Sequence, residues 1–201
     1  MISRATIGIA VAAALAMPAA AGAAETLREA VGAIKPLIDW RVRYESVDQN
    51  GLPEQAEALT SRLRLGFETG RVAGTSLLAE GVWLENAIDD YNDTVNGATQ
   101  YPVVADRGGV AAVNRFEIVN RSLENGVLTF GRQRIIHGNA RFVGNVGWRQ
   151  FEQTFDGARA ELAFGDSKLD MTYATQVNRV FGPDSPVGKW DGDIVLVRAS
   201  H

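Results

Sequence analysis

The stretch "GRQRIIHGNARFVGNVGWRQ", Gly131 to Gln150, sets Arg132, Arg134, Arg141 and Arg149 among three further glycines and two large aromatics, with no acid. A guanidinium is a planar fork of donors that suits carboxylates and phosphates and keeps its charge in confined places. It is almost never fully buried unless paired. More arginines recur elsewhere at alternate positions of otherwise apolar segments: Arg41, Arg43, Arg62, Arg64, Arg115 and Arg159. Asp39, Glu45, Glu68, Glu80, Glu117 and Glu161 share that spacing. The chemistry such a set performs is anion attraction, tempered by ion pairing.

Catalysis finds little support. His137 is the one histidine before the terminal His201, Ser122 and Ser167 sit at turn ends, and no serine in the Gly131–Gln150 stretch accompanies His137. A serine–histidine–acid hydrolase is therefore disfavoured. "DDYNDTVNG" alternates Asp90, Asn92, Thr94 and Asn96 before Gly97, but Tyr101 stands where a calcium loop needs its bidentate glutamate. No catalytic residue, metal site or cofactor is expected. Of 20 cations 17 are arginine, a bias that a GC-rich genome also produces. Acids outnumber bases, for a formal net charge of -4, which argues against a nucleic-acid partner.

The segments that carry the arginines have a period of two. In "LIDWRVRYESV", Ile38, Trp40, Val42 and Tyr44 alternate with Asp39, Arg41, Arg43 and Glu45. In "LTSRLRLGFETG", Leu59, Leu63, Leu65 and Phe67 alternate with Thr60, Arg62, Arg64 and Glu68. Strict alternation of this length predicts strands. Further strands are expected at "TSLLAEGVWLEN", "AVNRFEIVNRS", "VLTFGRQRII", "TFDGARAELAF" and "KLDMTYATQVNRVF", and "GDIVLVRA" begins a possible eighth. In the fifth, Leu128 and Phe130 share parity with Arg132 and Arg134, so a bulge or a mixed face is required. In the seventh, Gln176 and Asn178 fall with Asp170 and Thr172 on the polar side.

Residues 1–24, with Arg4, an apolar run from Ile7 to Met17 and a small-residue end, read as a secretory signal peptide. Residues 25–36 form a periplasmic segment, at best a short helix or a tether. The chain has no cysteine, so an exported fold rests on packing or on a membrane. Short turns at 70–74, 123–126 and 165–168 separate long polar loops at about 48–58, 86–111, 137–152 and 182–192. This describes an all-β, up-and-down antiparallel meander over 37–201, the layout of a transmembrane barrel of the outer membrane. Trp40, Tyr44, Trp83, Tyr173 and Phe181 are candidate girdle residues. A soluble periplasmic sandwich or lipocalin-like barrel shares the alternation and stays open on periodicity alone.

The stretches "RVRYESVDQNGLPEQAEALTSRLRLGFETG", "DDYNDTVNGATQYPVVAD" and "LTFGRQRIIHGNARFVGNVGWRQFEQTFDGAR" resemble the alginate-export family of bacterial outer-membrane proteins. The resemblance runs from about Pro36 to Asp193. It implies a porin-like barrel that passes anionic solutes or an acidic polysaccharide, with outer-membrane lipid and the barrel-assembly machinery as partners. On inward faces Arg41, Arg43, Arg62, Arg64, Arg115, Arg132, Arg134 and Arg159 would line a water-filled lumen, either attracting anions or stiffening the wall as an ion-pair ladder. Gly138, Gly144 and Gly147 fit a loop folding over or into the pore mouth. Seven or eight strands are about half of what such a wide barrel needs, so the chain is expected to match the N-terminal part of the pattern. The expected structure is a curved half-barrel with unpaired edges at Ile38–Tyr44 and Ile194–Val197.

Overall fold

The computed structural model describes residues 26–201, so the signal peptide read over 1–24 lies outside the described residues. A short helix, α1 (Leu27–Gly32), precedes eight strands: β1 (Lys35–Val47), β2 (Ala56–Glu68), β3 (Thr75–Asp90), β4 (Val110–Asn120), β5 (Gly126–Gln133), β6 (Thr154–Phe164), β7 (Ser167–Asn178) and β8 (Lys189–Ser200). They form one antiparallel sheet in the order β1 to β8, each strand paired with its sequence neighbour. β1 and β8 do not pair with each other, so the sheet is open. Pro36, which has no N–H for a ladder, lies in edge strand β1, so the sheet begins two residues before the boundary read from the sequence.

The two faces differ in chemistry. On one, Ile38, Trp40, Val42 and Tyr44 of β1, Leu65 and Phe67 of β2, Trp83 of β3 and Phe116 of β4 are exposed, as are Phe130, Met171, Tyr173, Val195 and Val197. On the other, Thr60, Arg62, Arg64, Ser76, Glu80, Thr129, Asp170 and Thr172 are buried. Monomeric soluble proteins seldom expose an apolar surface of this extent. The sheet is inside out relative to a water-soluble sandwich.

Register shifts mark bends in the wall, at Leu59/Thr60, Glu80/Gly81, Asp156/Gly157 and Ala174/Gln176. A bulge leaves one residue unpaired and re-aims those beyond it. At Ala174/Gln176 this carries Gln176 and Asn178 to the exposed apolar face and Val177 to the buried face, reversing their parity-based placement. Gly131, at φ +107°, lets β5 lie against β4, because a Cβ there would stand 2.2 Å from the Phe116 carbonyl oxygen.

The polar face curls around the segment between β5 and β6. Ile135 and Val143 pack on Phe155, Ala174, Val177, Ile194 and Leu196 of β6 to β8. Phe151 packs on Val82, Leu84 and Val110 of β3 and β4. The loop therefore lies in the concavity, as its glycines suggested.

Candidate functional site: the arginine-bearing concave face

β1 and β2 place four guanidiniums side by side. Arg41 lies directly opposite Arg62 in the ladder, and Asp39 lies opposite Arg64. Like charges facing across a strand pair repel, and the arrangement answers this by sending the donors elsewhere. Arg41 donates through Nε to the Gln150 side chain at 2.9 Å and through Nη1 to the Gly147 carbonyl at 3.1 Å. Its Nη2 reaches the Trp148 and Arg149 carbonyls. Arg62 Nη2 donates to Asp39 at 2.6 Å. Arg64 lies 3.4 Å from Glu152 and 3.9 Å from Asp39.

Arg43 ties the two longest loops to the wall. It donates to Asp106 at 2.5 Å, and also to Glu45 and the Trp148 carbonyl. Asp106 is fully buried and accepts the Gln150 backbone N–H at 2.9 Å. The Asp106 carbonyl accepts the Tyr91 hydroxyl at 2.6 Å. Burial pushes the Asp106 carboxyl above the usual carboxylate range, against the pull of the Gln150 amide, Arg43 and Arg149. Burial likewise raises the Tyr91 phenol, reinforced by Asp106 and Asp93.

Glu152 is the hub of the middle of the face. Arg134 donates to both its oxygens at 2.7 and 2.6 Å, and Asn114 and Asn145 each donate at 2.7 Å. Burial alone pushes this carboxyl up, but the Arg134 hydrogen bonds, with Arg64 and Asn145, hold it at about 2. Arg115 grips Glu80 in a bidentate pair at 3.1 and 3.0 Å. Arg159 does the same to Asp170, which also lies 3.2 Å from His137 Nε2.

Seven of the eight arginines singled out by spacing therefore share the concave side. Arg132 does not. It keeps the outward parity of Phe130, and no bulge in β5 inverts it. It pairs with Asp156 at 2.8 Å beside Gln176 and Asn178, so its assignment to the lumen is corrected. The fifth strand has a mixed face. Asp106, Arg149, Gln150 and Glu152 were missed as members of the constellation because they lie in loops without periodicity. Phe181 sits in a loop beneath Arg179, 4.7 Å from the guanidinium carbon, which also lies 4.3 Å from the ring centre of Trp190 on β8.

Several buried guanidinium donors make no hydrogen bond: Nε of Arg43, Arg62 and Arg64, and Nη1 of Arg149, which lies 3.8 Å from Asp106 and 4.0 Å from Glu45. Trp148, on the inserted loop, has the Arg149 and Arg43 guanidiniums 4.0 and 5.6 Å from its ring centre. Cations placed over an indole are attracted by its quadrupole.

No protein-family model matches the chain, and no curated protein matches it. Among solved structures, the crystal structure of Pseudomonas aeruginosa OpdQ is similar over 78% of this chain and 38% of that chain, with 18% identity and a TM-score of 0.46. The chain thus spans less than two-fifths of that protein's length.

Proposed function

We propose that this chain is wall and constriction of an outer-membrane, porin-like channel that favours anionic solutes. The observation that carries the reading is the inversion of the sheet. Arg62 and Arg64 are 4% and 6% exposed on the concave face, while Ile38 and Trp40 are 73% and 69% exposed on the convex face. In lipid that polarity is the stable one, with charge toward water inside and apolar side chains toward acyl chains.

The anion preference rests on the buried Nε donors left without a hydrogen bond on Arg62 and Arg64. A cleft dominated by one sign of charge concentrates counter-ions. The resemblance of "GRQRI", "RFVGNVGWRQ" and "EQTFD" to the alginate-export family extends the substrate class to an acidic polysaccharide. Outer-membrane lipid and the barrel-assembly machinery are the partners this reading requires, and the pore itself performs no reaction.

A second reading has a specific observation in its favour. Arg43, Arg62, Arg64, Arg115, Arg134 and Arg159 each have a carboxylate within 3.4 Å, the pattern of a ladder that stiffens a non-conducting wall. Reversal potentials in asymmetric salt separate the two, recorded from a closed barrel that contains this wall. Arg62→Gln with Arg64→Gln shifts selectivity toward cations if the pore reading holds. Unchanged selectivity favours the ladder.

A further inference from the structure

α1 is too short and too sparsely packed to be explained by the sheet alone. Its capping box is complete: Thr26 Oγ1 accepts the Glu29 N–H at 3.3 Å, and Glu29 accepts the Thr26 N–H at 2.7 Å. Yet helices of this length are marginal in water, because nucleation fixes several residues for one hydrogen bond. Only Ala30 is buried in the helix. Its carbonyl accepts the Gly70 N–H at 3.0 Å, which docks α1 on the turn between β2 and β3.

Three apolar side chains beside Ala30 remain uncovered. Leu27 and Val31 are 76% and 62% exposed, and Ile34, just past the helix, is also exposed. Leu27 and Val31, at i and i+4, share one face of α1, and Ile34 follows in the link to β1. Ile34 then leads through Pro36, at even spacing, into the exposed row Ile38, Trp40, Val42 and Tyr44 of β1. The stripe is thus continuous in sequence with the face given to lipid. Arg28 and Lys35 flank it and Arg71 stands in the docking turn; all three are exposed and none has an ion pair among the described residues.

We infer that α1 is an interfacial anchor, lying on the leaflet at the helix-bearing end of the wall. Leu27, Val31 and Ile34 dip among acyl chains, while Arg28, Lys35 and Arg71 meet phospholipid phosphates. Amphipathic helices bind membranes through this combination of apolar area and attraction to anionic lipid. The inference rests on the membrane reading of the sheet, and it adds a second contact with the bilayer made by a helix.

The absence of cysteine makes the test direct. Single cysteines at Leu27, Val31 and Gly32 carry a bimane label in the full chain, reconstituted into phosphatidylethanolamine–phosphatidylglycerol vesicles with brominated acyl chains. Val195→Cys on β8 serves as the control for the wall. Labels at 27 and 31 are expected to be quenched as strongly as at 195, and the label at 32, which has open space beside its Cα, is expected to stay bright. Replacing phosphatidylglycerol by phosphatidylcholine is expected to weaken quenching at 27 and 31 and leave it unchanged at 195. Quenching at 195 without quenching at 27 and 31 overturns the anchor and leaves the membrane wall standing. Blue-shifted but unquenched labels at 27 and 31 also overturn it, because they place the stripe against protein. Absence of quenching at all four positions refutes the membrane reading, and the anchor with it.

Discussion

Arg132 and Asp156 form a bidentate pair at 2.8 Å on the convex face, in the row that runs from Phe116 across β5 and β6 to Gln176. The third arm of Arg132 donates to the Val113 carbonyl at 3.1 Å, and Asp156 also accepts from Gln176 and Asn178. This is a self-contained polar island on an apolar surface.

Because the island faces away from the concavity, Arg132→Gln is expected to leave ion selectivity unchanged in bilayer recordings. Asp156→Asn leaves the Arg132 charge unneutralised on the convex face and is expected to cost about 1–3 kcal/mol in urea unfolding from vesicles, the range for a polar group deprived of its partner. Replacing both with leucine is expected to restore most of that loss.

Gln150 holds the inserted loop to the far wall. Its amide donates to Thr60 Oγ1 at 2.8 Å, and its carbonyl oxygen accepts Arg41 Nε. Gln150→Ala removes the acceptor of Arg41 Nε and the donor to Thr60 Oγ1, while the other bonds of both residues remain, with an expected cost of about 1–3 kcal/mol. The loop should then leave the concavity part of the time, seen as larger and noisier single-channel conductance and faster hydrogen exchange over 134–153.

Acid should release the same loop. Glu152 is held at about 2, below its unfolded value, so its contribution is complete above the unfolded pKa and is lost as pH falls. The window runs from about 4.3 downward. Asp106 has the opposite sign: its raised carboxyl is protonated first in the folded state, so it does not drive the loss. Conductance noise should rise through the window, and Glu152→Gln should remove that dependence.

On the convex face, Val42→Arg or Leu65→Arg is expected to destabilise the folded state in vesicles by about 2–4 kcal/mol near the bilayer midplane, and less toward the rims. Equal stability of these variants in lipid would count against the orientation of the sheet.

The strands are legible because one physical contrast, polar side chains on one face and exposed apolar side chains on the other, recurs along most of them. Thr154–Phe164 coincides with the segment read from alternation, and β1 to β4 differ from their sequence segments mainly at the ends. Side-chain placement departs from the sequence reading at one bulge and at one residue that obeys simple pleating. The placement of Gln176 and Asn178 depends on one unpaired residue beside Ala174, which cross-strand geometry sets and composition does not reveal. Arg132 was assigned inward by residue type against its own parity with Phe130. Asp106, Gln150 and Glu152 owe their importance to partners 44, 109 and 38 positions away, and no local period announces such contacts.

The inserted loop touches β1 and β2 through Arg41, Arg43 and Arg64, and β6 to β8 through Ile135 and Val143. Mechanically it is a chord across an arc. An arc whose chord is pinned at both ends has a set radius, so the loop determines how tightly the wall bends as well as what fills it. Shortening the loop would tighten the curve and change how many strands complete a circle, making the curvature of the wall a property of a segment that contributes no strand.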